Sequence, residues 1–483
     1  MNIATALFIA DWLCRAILAV RVVMSRKPVP TSLAWLMVLL VPVPWVGVLT
    51  YAIVGEIRPG RRRVARQEAA TRELLGEATV LWKARGQDWG PECEPYRAIA
   101  HLATLVGDLP PLRGNHVSLF AGSMGMIDSL VRDIDAARSH CHLLYYIWMD
   151  HSAGARVVEA LERARGRGVA CRVLVDGVGS KKFLRSDLRR RLERAGVEVV
   201  AALPVSAPRA LVARLDVRNH RKIAVIDGWI AYSGSQNITD ERFGYRPIDR
   251  AGPWIDASAR IEGPAAQALA LVFLRDWSME TESPVADHLE TFLPERPVPK
   301  TGSIVQVVPS GPGQESAAIR DIVVSAIFAA KEEVLLTTPY FIPDEATKEA
   351  LIAAALRGVR VSLVVPQKSD GMVVGAAGRA HLLELLAAGV RVYRHRPGLL
   401  HAKTLTVDSD VAMIGSANID MRSFYINYEV TLFVYDTDVA SQVRMLQTGY
   451  VGESEELEEE RWRSRPAWRR ALENTARLLT PVL

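Results

Sequence analysis

Hydrophobic residues are distributed along this chain in two different ways. Near the N-terminus they form long apolar segments, whereas beyond residue 115 short apolar runs alternate with stretches in which apolar residues recur every three or four positions. The short runs predict buried strands, and the longer period predicts amphipathic helices. Strands that alternate with helices are typical of βαβ units, so the sequence predicts an α/β fold with a mixed or mostly parallel sheet.

The α/β pattern occurs twice. In the first copy the strand at 142–150 is followed by a helix and by RGVACRVLVD, and in the second copy the strand at 333–344 is followed by a helix and by RGVRVSLVVP. A proline-rich stretch at 293–302 separates the copies. We therefore predict two domains of one kind, at 116–292 and at 303–483, with a C-terminal helix closing the second.

The N-terminal apolar segments predict a membrane anchor over residues 1–57. The stretch from Pro28 to Gly55 has no charged residue and is longer than the roughly 20 residues that cross a bilayer. The segment before it, Ile3 to Met24, carries Asp11 and Arg15 four positions apart, where they can neutralise each other. It is expected to span the membrane as the first helix of a hairpin, with an interfacial helix as the alternative.

Prolines and arginines add detail to the anchor. Pro42 and Pro44 are expected to kink the second segment, which membrane helices tolerate where neighbours satisfy the freed carbonyls. Arginines follow that segment, and because cytoplasmic loops are enriched in such cations, the large C-terminal part is predicted to face the cytoplasm. Residues 58–115 are expected to form a basic, helical stalk. The arginines are Arg58, Arg61, Arg62, Arg63 and Arg66.

Composition and charge narrow the classes of partner. The chain has 483 residues, of which 49% are hydrophobic and 23% charged, as in globular proteins. Its formal net charge of +5 is too small to argue for nucleic acid, so no nucleic-acid partner is expected. The sequence pI of about 9.0 is compatible with an anionic partner such as a lipid headgroup. The sequence does not predict an oligomeric state.

One polar motif occurs in both copies with identical spacing. His-x-Lys is followed by Asp and then by Gly-Ser-x-Asn, at 220–237 and again at 401–418, 181 positions further on. Core packing does not require this set of polar residues twice. The candidate catalytic residues are His220, Lys222, Asp227, His401, Lys403 and Asp408, and the candidate substrate-binding residues are Ser235, Asn237, Ser416 and Asn418.

Three chemistries could use a pair of histidines. A metal site needs clustered ligands, but here a lysine follows each histidine on the same strand face and would repel a cation. A Ser-His-Asp hydrolase needs a Gly-x-Ser-x-Gly turn before a helix, which is missing at the right place. Phosphoryl transfer gives the repeated residues a use, because the lysines can carry positive charge to a phosphate. Neither a metal nor a cofactor is expected.

In such a reaction His220 and His401 would lie on opposite sides of one phosphodiester. One would attack phosphorus as a neutral imidazole, and the other would protonate the departing alkoxide. The lysines, asparagines and serines of the motifs could hold the non-bridging oxygens. Asp227 and Asp408 lie too far along their strands to reach phosphorus, so an ion-pair or turn role is expected for them.

With these duplicated motifs the chain resembles the phospholipase D superfamily. Stretches such as TPYFIPD (338–344) and IGSANIDMRSFYINYEV (414–430) are similar to bacterial cardiolipin synthases, and the resemblance extends over nearly the whole chain. It implies two α/β sandwich repeats packed about a pseudo-twofold axis, and a phosphatidyltransferase of the bacterial inner membrane. Such an enzyme joins two phosphatidylglycerols into cardiolipin through a phosphohistidine and releases glycerol.

The resemblance also implies roles and partners. It makes His220 the nucleophile and His401 the acid, and it predicts that a carboxylate beyond each motif, Glu429 and Asp256, orients an active-site histidine. The implied partners are phosphatidylglycerol and anionic membrane lipids. The alternative is a phospholipase D-type hydrolase, phosphodiesterase or nuclease with the same two histidines. The membrane anchor favours a lipid substrate. The sequence does not decide between transfer and hydrolysis, and it does not identify the donor and acceptor lipids.

Overall fold

The structure is a computed structural model of the chain. It describes residues 2–25, 29–55, 61–84, 91–205, 216–240, 252–281, 294, 296–312 and 317–478.

Helices occur in the N-terminal segments and between the strands of both copies. Short 3₁₀ helices lie at Pro91–Tyr96 and Phe183–Arg185. The α-helices are α1 (Ile3–Met24), α2 (Val29–Leu39), α3 (Val46–Val54), α4 (Arg61–Ala84), α5 (Arg97–Gly107), α6 (Ser123–Ala136), α7 (Ala153–Gly166), α8 (Asp187–Arg194), α9 (Pro264–Glu280), α10 (Ala318–Ala329), α11 (Glu345–Leu356), α12 (Met372–Ala387), α13 (Met421–Tyr425), α14 (Thr437–Gly452), α15 (Glu459–Arg463) and α16 (Ala467–Leu478).

The strands follow the apolar runs of the sequence. Those of the first copy are β1 (Leu112–Ala121), β2 (His140–Tyr145), β3 (Ala170–Asp176), β4 (Glu198–Ala202), β5 (Lys222–Ile226), β6 (Ile230–Gly234), β7 (Trp254–Ile255) and β8 (Ala257–Glu262). Those of the second copy are β9 (Ser303–Ser310), β10 (Glu333–Thr337), β11 (Phe341–Ile342), β12 (Arg360–Pro366), β13 (Arg391–His395), β14 (Leu399–Leu400), β15 (Thr404–Val407), β16 (Val411–Gly415), β17 (Ile419–Asp420), β18 (Glu429–Tyr435) and β19 (Ser454–Glu456).

In the described residues the two copies share one sheet of 15 strands. The second copy contributes the order β19-β13-β12-β10-β15-β16-β18-β9, and the first continues with β1-β8-β6-β5-β2-β3-β4. Outward from the antiparallel β1–β9 junction, both copies repeat the same order of strands, which is the arrangement produced by a pseudo-twofold axis at the junction. The predicted α/β fold of two repeats is therefore confirmed.

The sheet is mixed in direction. In each copy three strands far from the junction pair in parallel, namely β2, β3 and β4 in the first copy and β10, β12 and β13 in the second. The strands nearer the junction pair antiparallel, as β5–β6 and β15–β16 do. Helices connect the parallel strands, as parallel pairing requires, whereas a short turn connects β5 to β6 and another connects β15 to β16.

Helices cover both faces of the sheet in each copy. Side chains of α6 and α7 pack on one face of the first copy, and those of α10 and α11 pack on the corresponding face of the second. The opposite face carries α9 and α14, which meet the central strands of both copies in a shared core. Each copy is thus a three-layer sandwich, and the shared core makes the two copies one packed body.

The described residues of the region predicted to form a stalk pack against this body. Ala70 and Leu74 of α4 are buried in the shared core, and Arg63 forms an ion pair with Glu280 at the end of α9. Helix α5 packs its apolar face against α10 in the second copy. The first copy itself begins with β1 at Leu112, before the predicted boundary at 116.

The anchor also differs from its prediction. Helix α1 is long and apolar enough to cross a membrane by length and composition. The second apolar segment, however, is not one spanning helix: it breaks into α2 and α3, which fold back on each other so that the Trp35 and Tyr51 rings meet edge to face at 5.3 Å. The proline pair at 42 and 44 lies in the break, because proline removes backbone donors and clashes within a helix.

Asp11 and Arg15 of α1 form the predicted ion pair, with Nε 2.8 Å from Oδ2. Arg15 additionally donates to the carbonyl oxygens of the α2–α3 turn, and Asp11 Oδ1 accepts the backbone N–H of Trp45 at 2.9 Å. The carbonyl acceptors are those of Leu39 at 2.5 Å, Val41 at 2.7 Å and Val43 at 2.9 Å. One buried ion pair therefore provides hydrogen bonds to three carbonyls and one N–H at the break in the helix.

Candidate active site

Both motif histidines line one cavity of about 450 Å³ between the two copies. His220 lies just before β5, and His401 lies just before β15, so each histidine stands at the end of a central strand. The first copy also contributes Asn237 to the cavity wall, and the second contributes Asn418. The fold therefore brings together two motifs that are far apart in the sequence.

The carboxylates that orient the histidines cross between the copies. His220 Nδ1 lies 2.9 Å from Glu429 of the second copy, and His401 Nδ1 lies 2.6 Å from Asp256 of the first. Both carboxylates are buried. A hydrogen bond from Nδ1–H to a carboxylate fixes the tautomer and leaves Nε2 as the nitrogen available for chemistry. Each active-site histidine therefore depends on the other copy for its orientation.

Backbone pairing between the copies produces this crossing. The His220 N–H donates to the carbonyl of Tyr428, the residue before Glu429, at 2.9 Å. In the same way the His401 N–H donates to the carbonyl of Ile255, the residue before Asp256, at 2.8 Å. Each histidine segment is thus hydrogen-bonded to the segment that delivers the other copy's carboxylate.

The motif serines donate hydrogen bonds to these carboxylates. Ser235 Oγ donates to Asp256 Oδ1 at 2.6 Å, and Ser416 Oγ donates to Glu429 Oε2 at 2.5 Å. Because a serine hydroxyl has one hydrogen, it cannot also donate to a phosphate oxygen. In this arrangement both serines, which were predicted to bind the substrate, are placed to position the carboxylates.

The motif asparagines do line the cavity. Asn237 Oδ1 accepts the N–H of Ile147 at 3.0 Å, which directs the rest of its amide. Its buried Nδ2 has no hydrogen-bond partner among the described residues, and the same holds for Oδ1 of Asn418. Buried polar groups are usually paired, so the Asn237 amide is a donor suited to an oxygen of a bound ligand.

Both motif lysines are buried behind their histidines. Lys403 Nζ donates to the carbonyl of His401 at 2.7 Å, and Lys222 Nζ donates to that of His220 at 2.5 Å. Burial lowers the pKa of Lys403 to about 8 and places that of Lys222 well below its ordinary value, although nearby carboxylates oppose the shift. An ammonium has three hydrogens, so each lysine retains donors beyond the one that the carbonyl accepts.

Burial also controls the histidines. It lowers the pKa of His220 to about 4, outweighing the opposing effect of Glu429. It lowers the pKa of His401 to about 4 as well, with the charge of Lys403 adding to the effect and Asp256 opposing it. Both imidazoles are therefore neutral near pH 7, which suits a nucleophile. A phosphodiester anion between the rings would favour the charged form and raise both pKa values.

The carboxylates remain charged despite their burial. Burial alone would raise the pKa of Glu429, but the charge and hydrogen bond of His220 outweigh it and hold the pKa below its ordinary value. His401 and then Lys403 have the same effect on the pKa of Asp256. The site therefore keeps two fixed negative charges, which can stabilise an imidazolium on either ring.

Asp227 and Asp408, which belong to the motif's candidate catalytic set, do not line the cavity. Each accepts three backbone N–H groups from the turn before a neighbouring strand, and this supports the turn role that their position along the strand had indicated. The donors to Asp227 are Arg138, Ser139 and His140, and the donors to Asp408 are Lys331, Glu332 and Glu333.

Two aromatic residues beside the histidines were not predicted. The Trp254 ring stacks on His401 at 4.3 Å, and the Tyr146 ring meets His220 edge to face at 4.8 Å. Both come from the first copy. Trp254 could have been identified from the sequence by its position two residues before Asp256. Strand β7, which holds Trp254, leads directly into Asp256 and so brings both side chains to His401.

A buried arginine lies between His220 and Lys222. Arg221 pairs with Asp276 of α9, and its Nε donates to the backbone carbonyl of Glu429 at 2.9 Å. Its Nη2 donates to the carbonyl of Ser310 at 2.8 Å. It thus links the His220 segment to β9 and β18 of the second copy. The corresponding residue in the second motif is Ala402, and this difference was visible in the sequence.

Further charged residues line the cavity. Arg218 pairs with Asp176 at 3.3 Å, and Arg422 pairs with Asp216 at 3.2 Å. Asp370 also lines the cavity and accepts the Tyr340 hydroxyl at 2.7 Å. In the described part of the chain, no group of three or more His, Cys, Asp or Glu residues is placed to hold a metal ion.

Comparison with known proteins gives consistent family matches. A family described as cardiolipin synthase, PLD-like domain, matches residues 130–249 and 323–446, and a phospholipase D-nuclease N-terminal family matches residues 16–56. Cardiolipin synthase A of Yersinia pseudotuberculosis is 36% identical over 482 residues, covering 98% of this chain and 97% of the relative. Cardiolipin synthase A of Klebsiella pneumoniae has the same identity and coverage.

A solved structure shares the fold. The crystal structure of phosphatidylserine synthase from Haemophilus influenzae Rd KW20 superposes with a TM-score of 0.58, covering 80% of this chain and 100% of that one. Its sequence identity of 14% is low, so this likeness concerns the fold alone.

Proposed function

The chain belongs to the cardiolipin synthase family of phospholipase D-like proteins, and on that premise we propose that it joins two phosphatidylglycerols into cardiolipin with release of glycerol. It is an enzyme of the phospholipase D-type phosphatidyltransferase class. The observation that carries the reaction is the pair of histidines on one cavity, each held through Nδ1 by a buried carboxylate of the other copy.

In the first step Nε2 of His220 attacks the phosphorus of one phosphatidylglycerol. The bound phosphodiester anion favours the imidazolium form of His401. The bond from phosphorus to the glycerol headgroup breaks, and this protonated His401 gives its Nε2 proton to the departing glycerol oxygen. In the second step His401 takes the proton of a hydroxyl on another phosphatidylglycerol. That oxygen attacks phosphorus and displaces His220, which yields cardiolipin and restores both rings.

Buried positive charge stabilises the transition state. Lys222 and Lys403 lie directly behind the histidines, and the amide of Asn237 lines the same cavity. Donors fixed in a water-poor cavity stabilise the charge on the phosphoryl oxygens without reorganising during the reaction. The two ammonium groups occupy the role that a metal ion has in other phosphoryl transferases, so activity should not require a cofactor.

The membrane supplies the substrates. Phosphatidylglycerol and other anionic lipids are the proposed partners, and the arginines after residue 57 favour a catalytic part that faces the cytoplasm at the bacterial inner membrane. Cardiolipin synthases that match the chain over almost its whole length favour transfer over a phospholipase D-type hydrolase or nuclease.

A single assay tests this proposal. The purified full chain in detergent receives phosphatidylglycerol alone together with a metal chelator, and mass spectrometry identifies the lipid products. We expect cardiolipin and free glycerol, and we expect neither with a His220→Ala variant. Phosphatidic acid in place of cardiolipin would identify a hydrolase. Activity that disappears with the chelator and returns with one divalent ion would contradict the role given to the lysines.

A second assay tests which histidine forms the covalent intermediate. A His401→Ala protein receives a phosphodiester with a nitrophenol leaving group, which departs without an acid. We expect a phosphoryl adduct on the peptide that contains NHRK, at His220. An adduct on the peptide that contains LHAK, in a His220→Ala protein, would reverse the two roles.

A further inference from the structure

The described residues of the anchor form one helix of membrane-spanning length and two that are much shorter. Helix α1 has 22 residues, or about 33 Å at the usual rise per residue. Helices α2 and α3 have 11 and 9 residues, or roughly 16 and 14 Å. The hydrocarbon core of a bilayer is about 30 Å thick, so α1 can cross it and neither α2 nor α3 can.

The two short helices form a closely packed antiparallel pair. Gly47 of α3 lies so near α2 that a Cβ atom at this position would be 2.4 Å from the carbonyl oxygen of Val38. Trp35 of α2 and Tyr51 of α3 are both buried and meet edge to face. The chain therefore goes in along α2, turns at residues 40–45 and comes back along α3.

The turn of this pair lies beside the middle of α1. Asp11 and Arg15, which satisfy the backbone groups of the turn, stand near the centre of a helix that runs from residue 3 to residue 24. Irregular backbone is tolerated at membrane depth only where protein groups satisfy it, and ionisable residues at that depth are expensive unless they are paired. The ion pair meets both conditions at the depth where the turn would lie.

The charge distribution gives an independent indication. No Lys, Arg, Asp or Glu precedes Asp11, whereas Arg21, Arg26 and Lys27 stand at the end of α1 and just after it. A second group of arginines follows α3. If the second apolar segment crossed the bilayer, the two basic groups would lie on opposite faces. If it turned back, both would lie on the cytoplasmic face, as the positive-inside rule favours.

We infer that the anchor crosses the membrane once, through α1, and that α2 and α3 form a re-entrant hairpin held at its turn by the Asp11–Arg15 pair. The residues at the end of α1 therefore lie on the same side as the catalytic copies, and the N-terminus lies on the other side. This arrangement concerns the anchor alone, so its test does not depend on the proposed reaction.

Cysteine labelling distinguishes the two topologies. In a parent protein with Cys14→Ser and Cys93→Ser, single variants Asn2→Cys, Ser25→Cys and Leu483→Cys report the sidedness of three positions. Sealed membrane vesicles are treated with a membrane-impermeant maleimide before and after permeabilisation. We expect Ser25→Cys to behave like Leu483→Cys and Asn2→Cys to behave oppositely. Asn2→Cys and Leu483→Cys on one side, with Ser25→Cys on the other, would show two crossings and overturn the inference.

The role of the ion pair has its own test. In the Ser25→Cys protein, an Arg15→Leu change leaves the carbonyls of the turn without a donor, so the hairpin should lose its hold on α1. We expect the fraction of protein molecules in which residue 25 lies on the same side of the membrane as the catalytic copies to fall well below the fraction in the parent protein. A Leu13→Ala change on the exposed surface of α1 is the matched control and should leave this fraction unchanged. An unchanged fraction with Arg15→Leu would show that the pair does not hold the hairpin.

Discussion

The two histidines are held in the same way but have very different neighbours. In the first copy the residues around His220 are Arg218, Asn219 and Arg221, which bind Asp176 and Asp276. The equivalent positions around His401 are Leu399, Leu400 and Ala402. His220 therefore lies in a charged network, and His401 lies among apolar side chains with the Trp254 ring stacked on it.

This difference indicates which features the chemistry requires in duplicate. Histidine, lysine, serine and a crossing carboxylate occur in both copies, so both rings can carry a proton and both have a fixed counter-charge. The flanking residues differ, and they can give the two rings separate tasks. A charged network fixes the backbone of a nucleophile, whereas an apolar surrounding excludes water from an acid.

The largest expected effect is loss of either histidine. His220→Ala and His401→Ala should each lower turnover of phosphatidylglycerol by about 10⁴-fold or more, and the double variant should be little worse, because the residues act as a unit. A nitrophenol ester should restore the covalent step in His401→Ala only. The measurement is the rate of nitrophenol release. Equal rates in the two variants would contradict separate roles for the two histidines.

Next comes the buried arginine that only the first copy has. Arg221→Met leaves the Asp276 carboxylate without its ion-pair partner in the core, which should lower the free energy of unfolding by about 3–5 kcal/mol. Denaturation of the protein in detergent measures the change. The matched control is the double variant Arg221→Met, Asp276→Asn, which removes the unpaired charge and should recover much of the loss. A double variant no more stable than the single one would contradict this explanation.

The crossing carboxylates should show a smaller, role-specific effect. Glu429→Gln and Asp256→Asn should each reduce kcat by about 10²-fold, as removal of an orienting partner commonly does. Because Glu429 holds His220, its variant should also react slowly with the nitrophenol ester. The Asp256 variant should react with that ester almost normally, since His401 is then not needed. The reverse pattern would mean that each carboxylate acts within its own copy.

The smallest effect concerns pH. Lys403 has a pKa of about 8, so above pH 8 it loses its positive charge, and kcat/KM should fall. Arginine stays charged, so Lys403→Arg should move this alkaline limb to higher pH at some cost in maximal rate. The acid limb belongs to the two histidines, whose pKa values are both about 4, and it should stay in place because the variant keeps the positive charge beside them. An alkaline limb that stays near pH 8 in the variant would assign it to another group.

Much of the fold could be predicted because it depends on local patterns. The alternation of apolar runs and amphipathic stretches located β2, α7 and β3, and the identical motif spacing revealed the duplication. The break in the second apolar segment could not be predicted in full. Its prolines indicated a kink, but a complete turn requires the donors of Arg15, which approaches from another helix.

The sequence indicated which residues belong to the candidate site, but it did not indicate which of them contact each other. The motifs contained both histidines and both lysines, and the resemblance supplied Glu429 and Asp256. No sequence spacing states that Glu429 contacts a histidine 209 positions before it, since that contact depends on strand pairing between the copies. The serines were predicted to bind the substrate. The sequence could not show that they donate to carboxylates, because these contacts are made only in the folded protein.

The crossing carboxylates also have an evolutionary meaning. A gene that encoded one half of this chain would produce a polypeptide whose histidine lacks the carboxylate that orients it here. Two such polypeptides would have to associate before either could act, because each would supply the carboxylate for the histidine of the other. Fusion into one reading frame makes that association permanent and frees the halves from being identical. The divergence of Arg221 from Ala402 is a change that an assembly of identical subunits could not accumulate.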